Sequence, residues 1–238
     1  MLDVEHLTKK YDSTVANDDL CFQLKAGRIG ILMGPNGAGK STAIKCILGL
    51  LRYDGQITIG GFFNKSIDAK RIMGYVPELP APYDLLTVEE HAEFIRRAYK
   101  LDKSAVAYAD ELMERLELSE LRKKLGKELS KGMQQKVSIL CALLPRPKML
   151  LLDEPLVGLD PHAIKELKKL LLEQRDSGAS ILVSTHMIDS VEGLWDDAFI
   201  MMSGRFAATR SREQELIAGT QSLEDLFFSI TEKKGPEP

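Results

Sequence analysis

Three short segments of the sequence carry residue types suited to phosphate chemistry. Gly34-Pro35-Asn36-Gly37-Ala38-Gly39-Lys40-Ser41 fits the spacing G-x-x-x-x-G-K-[ST] at every required position. Such a turn lets backbone N–H groups converge on a polyphosphate, and a helix starting there directs the positive end of its dipole to the same point. Lys40 is placed to reach the β and γ phosphates and to assist their chemistry, and the Ser41 hydroxyl to ligate Mg²⁺. Together with Thr42 these residues are the candidate cofactor contacts. The plainer alternative is a glycine loop that merely enters a helix. Met149-Leu150-Leu151-Leu152-Asp153-Glu154 is an apolar run ending in two carboxylates. Asp153 can hold Mg²⁺ through water, and Glu154 can polarise an attacking water as general base. Alternatively, the acidic pair caps the next helix. In Leu129-Ser130-Lys131-Gly132-Met133-Gln134-Gln135-Lys136, Ser130 is a good N-cap. The N–H groups after it offer a second anion site, or belong to an ordinary capped helix.

The elements that must position these groups follow from apolar periodicity. Residues 28–33 read as a buried strand feeding the glycine run, and 42–50 as a helix with Ile44, Ile47, Leu48 and Leu51 on one face. Strands are expected at 2–8 and 20–24, flanking a polar stretch, and at 55–60. From Thr87 the pattern turns helical, opening with the capping box Thr87-Val88-Glu89-Glu90. Helices are expected at about 87–101, 104–116 and 130–144, ended by Pro145-Arg146-Pro147. The α/β alternation then resumes: strand 149–152, helix 161–175, strand 181–184, a short helix near 188–194, and a hairpin of 198–202 with 205–209 over Ser203-Gly204. An apolar strand whose carboxyl end emerges at a crevice suits the placement of Asp153 and Glu154.

At 238 residues the chain suits one large α/β domain, or a core with one insertion. A net charge of −3 argues against a nucleic-acid-binding surface. Cys21, Cys46 and Cys141 are scattered, which suits a reducing compartment with thiols packed as small hydrophobes, and the four histidines show no metal-ligand spacing. No apolar run approaches a membrane-spanning length, and the N-terminus shows no signal-peptide pattern. The expectation is a cytoplasmic polypeptide; if it works at a membrane, another chain supplies the span. The tail Lys233-Lys234-Gly235-Pro236-Glu237-Pro238 reads as disordered.

In their order, the three segments resemble the nucleotide-binding subunit of ATP-binding-cassette (ABC) transporters, over nearly the whole chain. The resemblance implies an α/β fold: a P-loop NTPase core with an antiparallel β subdomain and an inserted α-helical subdomain. Residues 1–80 with 146–220 would form the ATP-binding core, 81–145 the helical signature subdomain, and 221–238 a C-terminal helix and tail. It implies further that Tyr11 stacks on adenine, with an edge-strand tyrosine as the alternative. Ser130 and Gly132 belong to the signature motif, Asp160 in Gly158-Leu159-Asp160 communicates across a dimer interface, and His186 contacts the γ-phosphate. Glu78 stands where the family commonly has Gln, so a carboxylate could approach Mg²⁺ or the attacking water there. Lys131 and Met133 depart from the common L-S-G-G-Q; similar departures recur in bacterial exporter subunits with a separate membrane subunit.

The activity implied is ATP hydrolysis by two copies, or one copy and a related chain, sandwiching ATP and driving a membrane-spanning transporter subunit from the inner face of the plasma membrane. A nucleotide-gated regulatory module with little turnover is a second reading, suggested by Glu78, Lys131 and Met133 and opposed by Lys40, Ser41, Asp153, Glu154 and His186. A soluble relative acting on DNA or ribosomes is disfavoured by the absence of a long coiled coil, a second cassette and a basic excess. Finally, Leu79-Pro80-Ala81-Pro82-Tyr83-Asp84-Leu85-Leu86 is stiff and apolar. It either packs the insertion onto the core or forms a groove for a short helix of the membrane subunit.

Overall fold

A computed structural model describes residues 1–213 and 222–232 of the chain. The expected tail at 233–238 lies outside the described residues. The chain opens with β1 (Leu2–Tyr11), β2 (Thr14–Leu24), β3 (Ile29–Met33) and α1 (Lys40–Ile47), then β4 (Asp54–Ile59), β5 (Phe62–Phe63), α2 (Ile67–Arg71) and β6 (Met73–Val76). Helices α3 (Val88–Ala98), α4 (Ser104–Arg115) and α5 (Lys131–Leu143) follow. The remainder is β7 (Met149–Asp153), α6 (Pro161–Asp176), β8 (Ser180–Thr185), β9 (Asp197–Met202), β10 (Arg205–Ser211) and α7 (Leu223–Glu232).

These elements build two sheets. An antiparallel sheet runs β2-β1-β4-β5, and a six-stranded sheet runs β10-β9-β3-β8-β7-β6, parallel except for β10. Strand alternation divides the apolar core. Ile29, Ile31, Leu150, Leu152, Ile181 and Val183 face the layer of α3 to α6, whereas Leu32, Leu151, Leu182 and Phe199 face α1 and the antiparallel sheet. Every side chain of β3, β7 and β8 is buried, as expected of a parallel sheet covered on both faces. The carboxyl ends of β3, β7 and β8 therefore arrive side by side, with Met33 opposite Thr185 and Asp153 opposite Ser184.

The Thr87 capping box forms as expected and starts α3, with Glu90 reaching back to the Thr87 N–H at 2.8 Å. Other expectations change. The polar stretch after residue 8 is itself strand: β1 and β2 run on to Tyr11 and from Thr14, because backbone pairing does not require an apolar face. Helix α1 ends at Ile47, and Leu51 falls beyond it. The short helix expected near 188–194 is a single 3-10 turn at Asp189–Val191, followed by Gly193 in the left-handed region. Strands β5 and β6 and helix α2 have no counterpart in the sequence reading; each is five residues or shorter, too brief to develop a period. Cys21 is exposed rather than packed, whereas Cys46 is buried.

Candidate active site

The glycine run leaves β3 and enters α1 through Gly39, whose φ of 104° serves as N-cap. A Cβ at Gly39 would lie 2.3 Å from the Ala16 carbonyl oxygen, so the close approach of β2 to the loop requires glycine. The buried Asn17 side chain seals this contact by donating to the Gly39 carbonyl at 3.1 Å. Lys40 is buried, and its ammonium donates to the carbonyls of Gly34 at 2.8 Å and Pro35 at 3.2 Å.

The same ammonium lies 3.3 Å from Glu154 Oε1. Glu154 directly follows β7 with φ of 46°, unusual for a side-chain-bearing residue, and this bend accompanies a carboxylate buried beside Lys40 and His186. Its Oε2 accepts from His186 Nδ1 at 3.0 Å. An ionised carboxylate only accepts, so Nδ1 carries the proton of this bond and Nε2 is the nitrogen left free of it. Asp153 is fully buried, and its Oδ1 accepts from Ser41 at 2.9 Å and Ser184 at 2.6 Å. The Ser184 hydroxyl also receives the Glu154 N–H at 3.0 Å, so one side chain positions both acids.

Lys40, Ser41 and Glu154 border a cavity of about 490 Å³ whose lining also includes Asn36, Gly37, Ala38, Gly39 and Thr42 from the loop and α1, together with Thr14 and Val15 of β2 and Glu78. Asp153 Oδ2 is buried with no hydrogen-bond partner among the described residues, and Glu154 Oε1 has the Lys40 ammonium at 3.3 Å without a well-formed hydrogen bond. A buried carboxylate oxygen in the state of Asp153 Oδ2 wants a cation or a donor. The Ser41 hydroxyl and the Asp153 carboxylate are hard oxygen donors of the kind Mg²⁺ takes. The fit to Mg²⁺ is therefore chemical as well as positional. Glu78 contributes a further carboxylate to the wall. Burial, then the charges of Asp153 and Glu78, push the nearby Tyr75 hydroxyl up to about 12.

Four site residues expected from sequence, Ser130, Gly132, Asp160 and Tyr11, stand apart from the cavity; Gly34, Pro35, Asp153 and His186 also lie outside its lining but join it through bonds to Lys40, Ser41 and Glu154. Ser130 is the N-cap of α5, its Oγ accepting the Met133 N–H, and Gly132 lies in the first turn. Asp160 caps α6 by accepting from the N–H groups of His162 and Ala163, each at 3.0 Å; the Ala163 bond, and after it the Lys136 ammonium, hold its carboxyl below the usual range. Tyr11 ends β1, half exposed and outside the cavity lining, with the Lys9 ammonium 4.6 Å from its ring centre.

Sequence reasoning missed Ser184, Gln135 and Lys136. Gln135 donates to the Pro155 carbonyl at 3.3 Å, just beyond Glu154. The buried Lys136 ammonium sits 2.8 Å from Glu117 and 3.4 Å from Asp160. The start of α5 is thereby tied to the segment that leaves the acidic pair. The signal was present as polar residues at the edges of apolar runs, but their partners are non-local.

A glycine loop cradling a lysine, with an acidic pair at the end of a parallel strand next but one in the same sheet, defines a P-loop nucleoside-triphosphatase. The family model described as ABC transporter matches residues 17–157. The ABC-type transporter ATP-binding protein EcsA of Bacillus subtilis (strain 168) is 35% identical over 240 residues, covering 98% of this chain and 97% of the relative. The lipopolysaccharide export system ATP-binding protein LptB of Haemophilus influenzae is 34% identical over 221 residues, covering 90% and 92%. A solved structure of an ATP-binding subunit of an ABC transporter superposes with a TM-score of 0.90 at 35% identity, covering 97% of this chain and 99% of that one. The chain belongs to the ABC transporter family, as an ATP-binding, ATP-hydrolysing subunit.

Two expectations follow. Glu154→Gln keeps the shape of the side chain but cannot accept a proton, so ATP turnover should fall by about 10²–10⁴ while nucleotide binding persists. Lys40→Ala should instead weaken nucleotide binding. Turnover and equilibrium binding measured on both variants separate the roles; near-normal turnover by Glu154→Gln would remove it as general base. Glu78→Gln removes one charge from the cavity wall and should leave the chain folded and active, with a changed Mg²⁺ or Mn²⁺ requirement. Superimposable metal titrations for parent and variant would show that Glu78 does not act at the site.

Proposed function

We propose that this chain is the Mg²⁺-dependent ATPase subunit of an exporter, working as a dimer on the inner face of the plasma membrane. The observation that carries the reading is the one-sidedness of the site. Lys40, Ser41, Glu78 and Glu154 border the cavity, but Ser130 and Gly132, the second anion-binding helix start, do not. A second copy, or a related chain, presenting its own α5 start completes the enclosure of the phosphates. The relative named for lipopolysaccharide export supports the direction of transport. Among the described residues no helix is long and apolar enough to cross a membrane, so a separate spanning subunit is part of the proposal.

Within one site the residues divide the work. Lys40 exchanges its contacts with Gly34, Pro35 and Glu154 for the β and γ phosphates. Released from the ammonium, Glu154 Oε1 accepts the proton of the attacking water, while Oε2 stays on the His186 Nδ1–H. His186 Nε2 is then the atom left to face the γ-phosphate. Mg²⁺ held by Ser41 and Asp153 supplies charge neutralisation across the phosphates. Tyr11 receives adenine once Lys9 leaves its ring, and Asp160 carries the state of the site to the dimer interface.

Segment 79–86 links this chemistry to the membrane. Leu79, Tyr83 and Leu85 are 77%, 59% and 74% exposed, so they do not serve to pack the insertion onto the core. Tyr83 is held nonetheless: its N–H donates to His91 Nε2 at 2.8 Å, and its ring meets Phe94 edge-on at 5.5 Å. Beside it lies a 260 Å³ groove lined by Tyr75, Pro77, Pro82, Tyr83, Phe94 and Cys141, among others. A short cytoplasmic helix of the membrane subunit docks in this groove by apolar anchors. Glu78 precedes the segment, so events at the phosphates move the docked helix.

Two measurements test the proposal. ATP should drive Glu154→Gln into a dimer that persists on size-exclusion chromatography; a variant that stays monomeric with ATP bound overturns the composite site. Tyr83→Ala or Leu85→Asp should reduce recovery of the membrane subunit in pull-down and uncouple transport, with ATP affinity nearly unchanged. Unchanged recovery, or an equal collapse of ATP binding, overturns the docking assignment.

A further inference from the structure

The antiparallel sheet brings together three metal-ligating side chains that are far apart in sequence type and role from the nucleotide site. His6 Nδ1 lies 2.7 Å from Asp19 Oδ1 and 3.7 Å from Cys21 Sγ, and the three donor atoms all fall within 4.8 Å of one another. The register of β1 and β2 explains the meeting. Between the pairs Val4–Phe22 and Leu7–Leu20, two residues of β1 oppose the single residue Cys21. Between Leu7–Leu20 and Lys9–Asn17 the imbalance reverses, with Thr8 opposing Asp18 and Asp19. Two successive bulges on opposite strands therefore aim His6, Cys21 and Asp19 at one point.

The neighbouring strand is built around the first bulge. A Cβ at Gly55 of β4, where φ is 108°, would lie 2.4 Å from the His6 carbonyl oxygen and 2.5 Å from that of Glu5. His6 and Asp19 both hold φ near 50° (53° and 55°), the left-handed region that His and Asp enter more readily than most side-chain-bearing residues. A simple antiparallel ladder would have required none of this.

The donors converge instead of forming a relay. In a Cys–His–Asp nucleophile chain the thiol and the carboxylate engage different ring nitrogens, whereas here both face Nδ1. Bonds of ordinary length to a tetrahedral zinc ion place N, O and S ligands about 3.3–3.6 Å apart; the Nδ1–Sγ distance of 3.7 Å is close to this, whereas Nδ1 and Oδ1, hydrogen-bonded at 2.7 Å, would part by about 0.6 Å to admit the ion. Thiolate and carboxylate together would neutralise a dication, with imidazole as the neutral third ligand. The side chains of His6 and Asp19 are 76% and 65% exposed and Cys21 is exposed, leaving water the fourth position.

We propose that His6, Asp19 and Cys21 form a surface site for a borderline divalent d-block cation of the Zn²⁺ class, pinning the bulged β1–β2 arm. The sulfur ligand distinguishes it from the all-oxygen Mg²⁺ site at Ser41 and Asp153. It also makes the site visible, because a thiolate bound to Co²⁺ gives a charge-transfer absorption that oxygen ligands do not. The other two thiols are poor competitors: burial pushes Cys46 up to about 11 and Cys141 up to about 12.

The test is titration of Co²⁺ into the full chain, reduced and free of nucleotide. The charge-transfer band should grow to an equimolar end point and be bleached by Zn²⁺. Cys21→Ser should abolish it, and His6→Gln or Asp19→Asn should weaken Co²⁺ binding by about 10-fold or more, since even outer-sphere changes cost that much. Retained ATP turnover shows that each variant is folded, and the Asp19→Asn comparison stands if Cys21→Ser is not. Absence of the band from the native chain, or its survival in folded Cys21→Ser, overturns the proposal, as does equal affinity for Co²⁺ in native chain and Asp19→Asn.

Discussion

Two carboxylates buried at the end of β7 are the constraint around which the molecule is arranged. Asp153 and Glu154 are adjacent, almost wholly removed from water, and would repel each other if left alone. Burying such a pair is costly unless cations and donors surround it. The necessary partners come from three places in the chain: Lys40 and Ser41 from α1, Ser184 from β8, His186 from the segment after it. The order β3-β8-β7 in the parallel sheet is what makes those elements neighbours. Because all three strands are buried on both faces, their ends have little freedom to drift, and the site inherits the rigidity of the core.

The same arrangement makes the acids sensitive to a ligand. Lys40 is shared between its own loop and Glu154, so a phosphate that attracts the ammonium changes the environment of the acid in the same step. Glu154 retains His186 on its other oxygen, which keeps the carboxylate oriented while the first contact is lost. Immediately downstream, Pro155 and Asp160 are bonded to Gln135 and Lys136 of α5. A shift at the acidic pair therefore reaches the start of α5 through two short contacts instead of through the loop alone. Lys136 is buried and has both Glu117 and Asp160 as partners, which favours a defined position for the helix start over a range of them.

How much of this was legible in the sequence depended on range. The phosphate loop, the acidic pair and the Ser130 and Thr87 caps are local patterns whose geometry follows from a few consecutive residues, and each was readable. Strands β3, β7 and β8 were readable because burial on both faces makes them continuous apolar runs. Strands β5 and β6 and helix α2 were not, because a few residues show no period. The polar length of β1 and β2 was hidden because an edge ribbon takes its stability from backbone pairing and shared contacts. Ser184, Gln135 and Lys136 gave only the faint signal of polarity at the margin of an apolar stretch. The meeting of His6 with Asp19 and Cys21 depends on two bulges, and no spacing rule anticipates a register shift.

Charge at position 78 shows how the parts constrain one another. The cavity already contains Glu154 on its wall and Asp153 behind Ser41, against Lys40 as the cation bonded among them. Another carboxylate there raises the local negative potential, a contribution that adds to burial and to Asp153 at the half-buried Tyr75 hydroxyl. Polyphosphate adds more charge of the same sign, so the wall demands a divalent cation more strongly than an amide in that place would. The helix starts at Ser130 supply positive dipole ends, and Lys131 beside them adds a full charge. In the proposed dimer, a second copy that brings Ser130 and Lys131 to the phosphates would offset the excess that Glu78 creates. On that proposal the departures at 78 and 131 are two halves of one electrostatic balance, closed only when two subunits meet around the nucleotide.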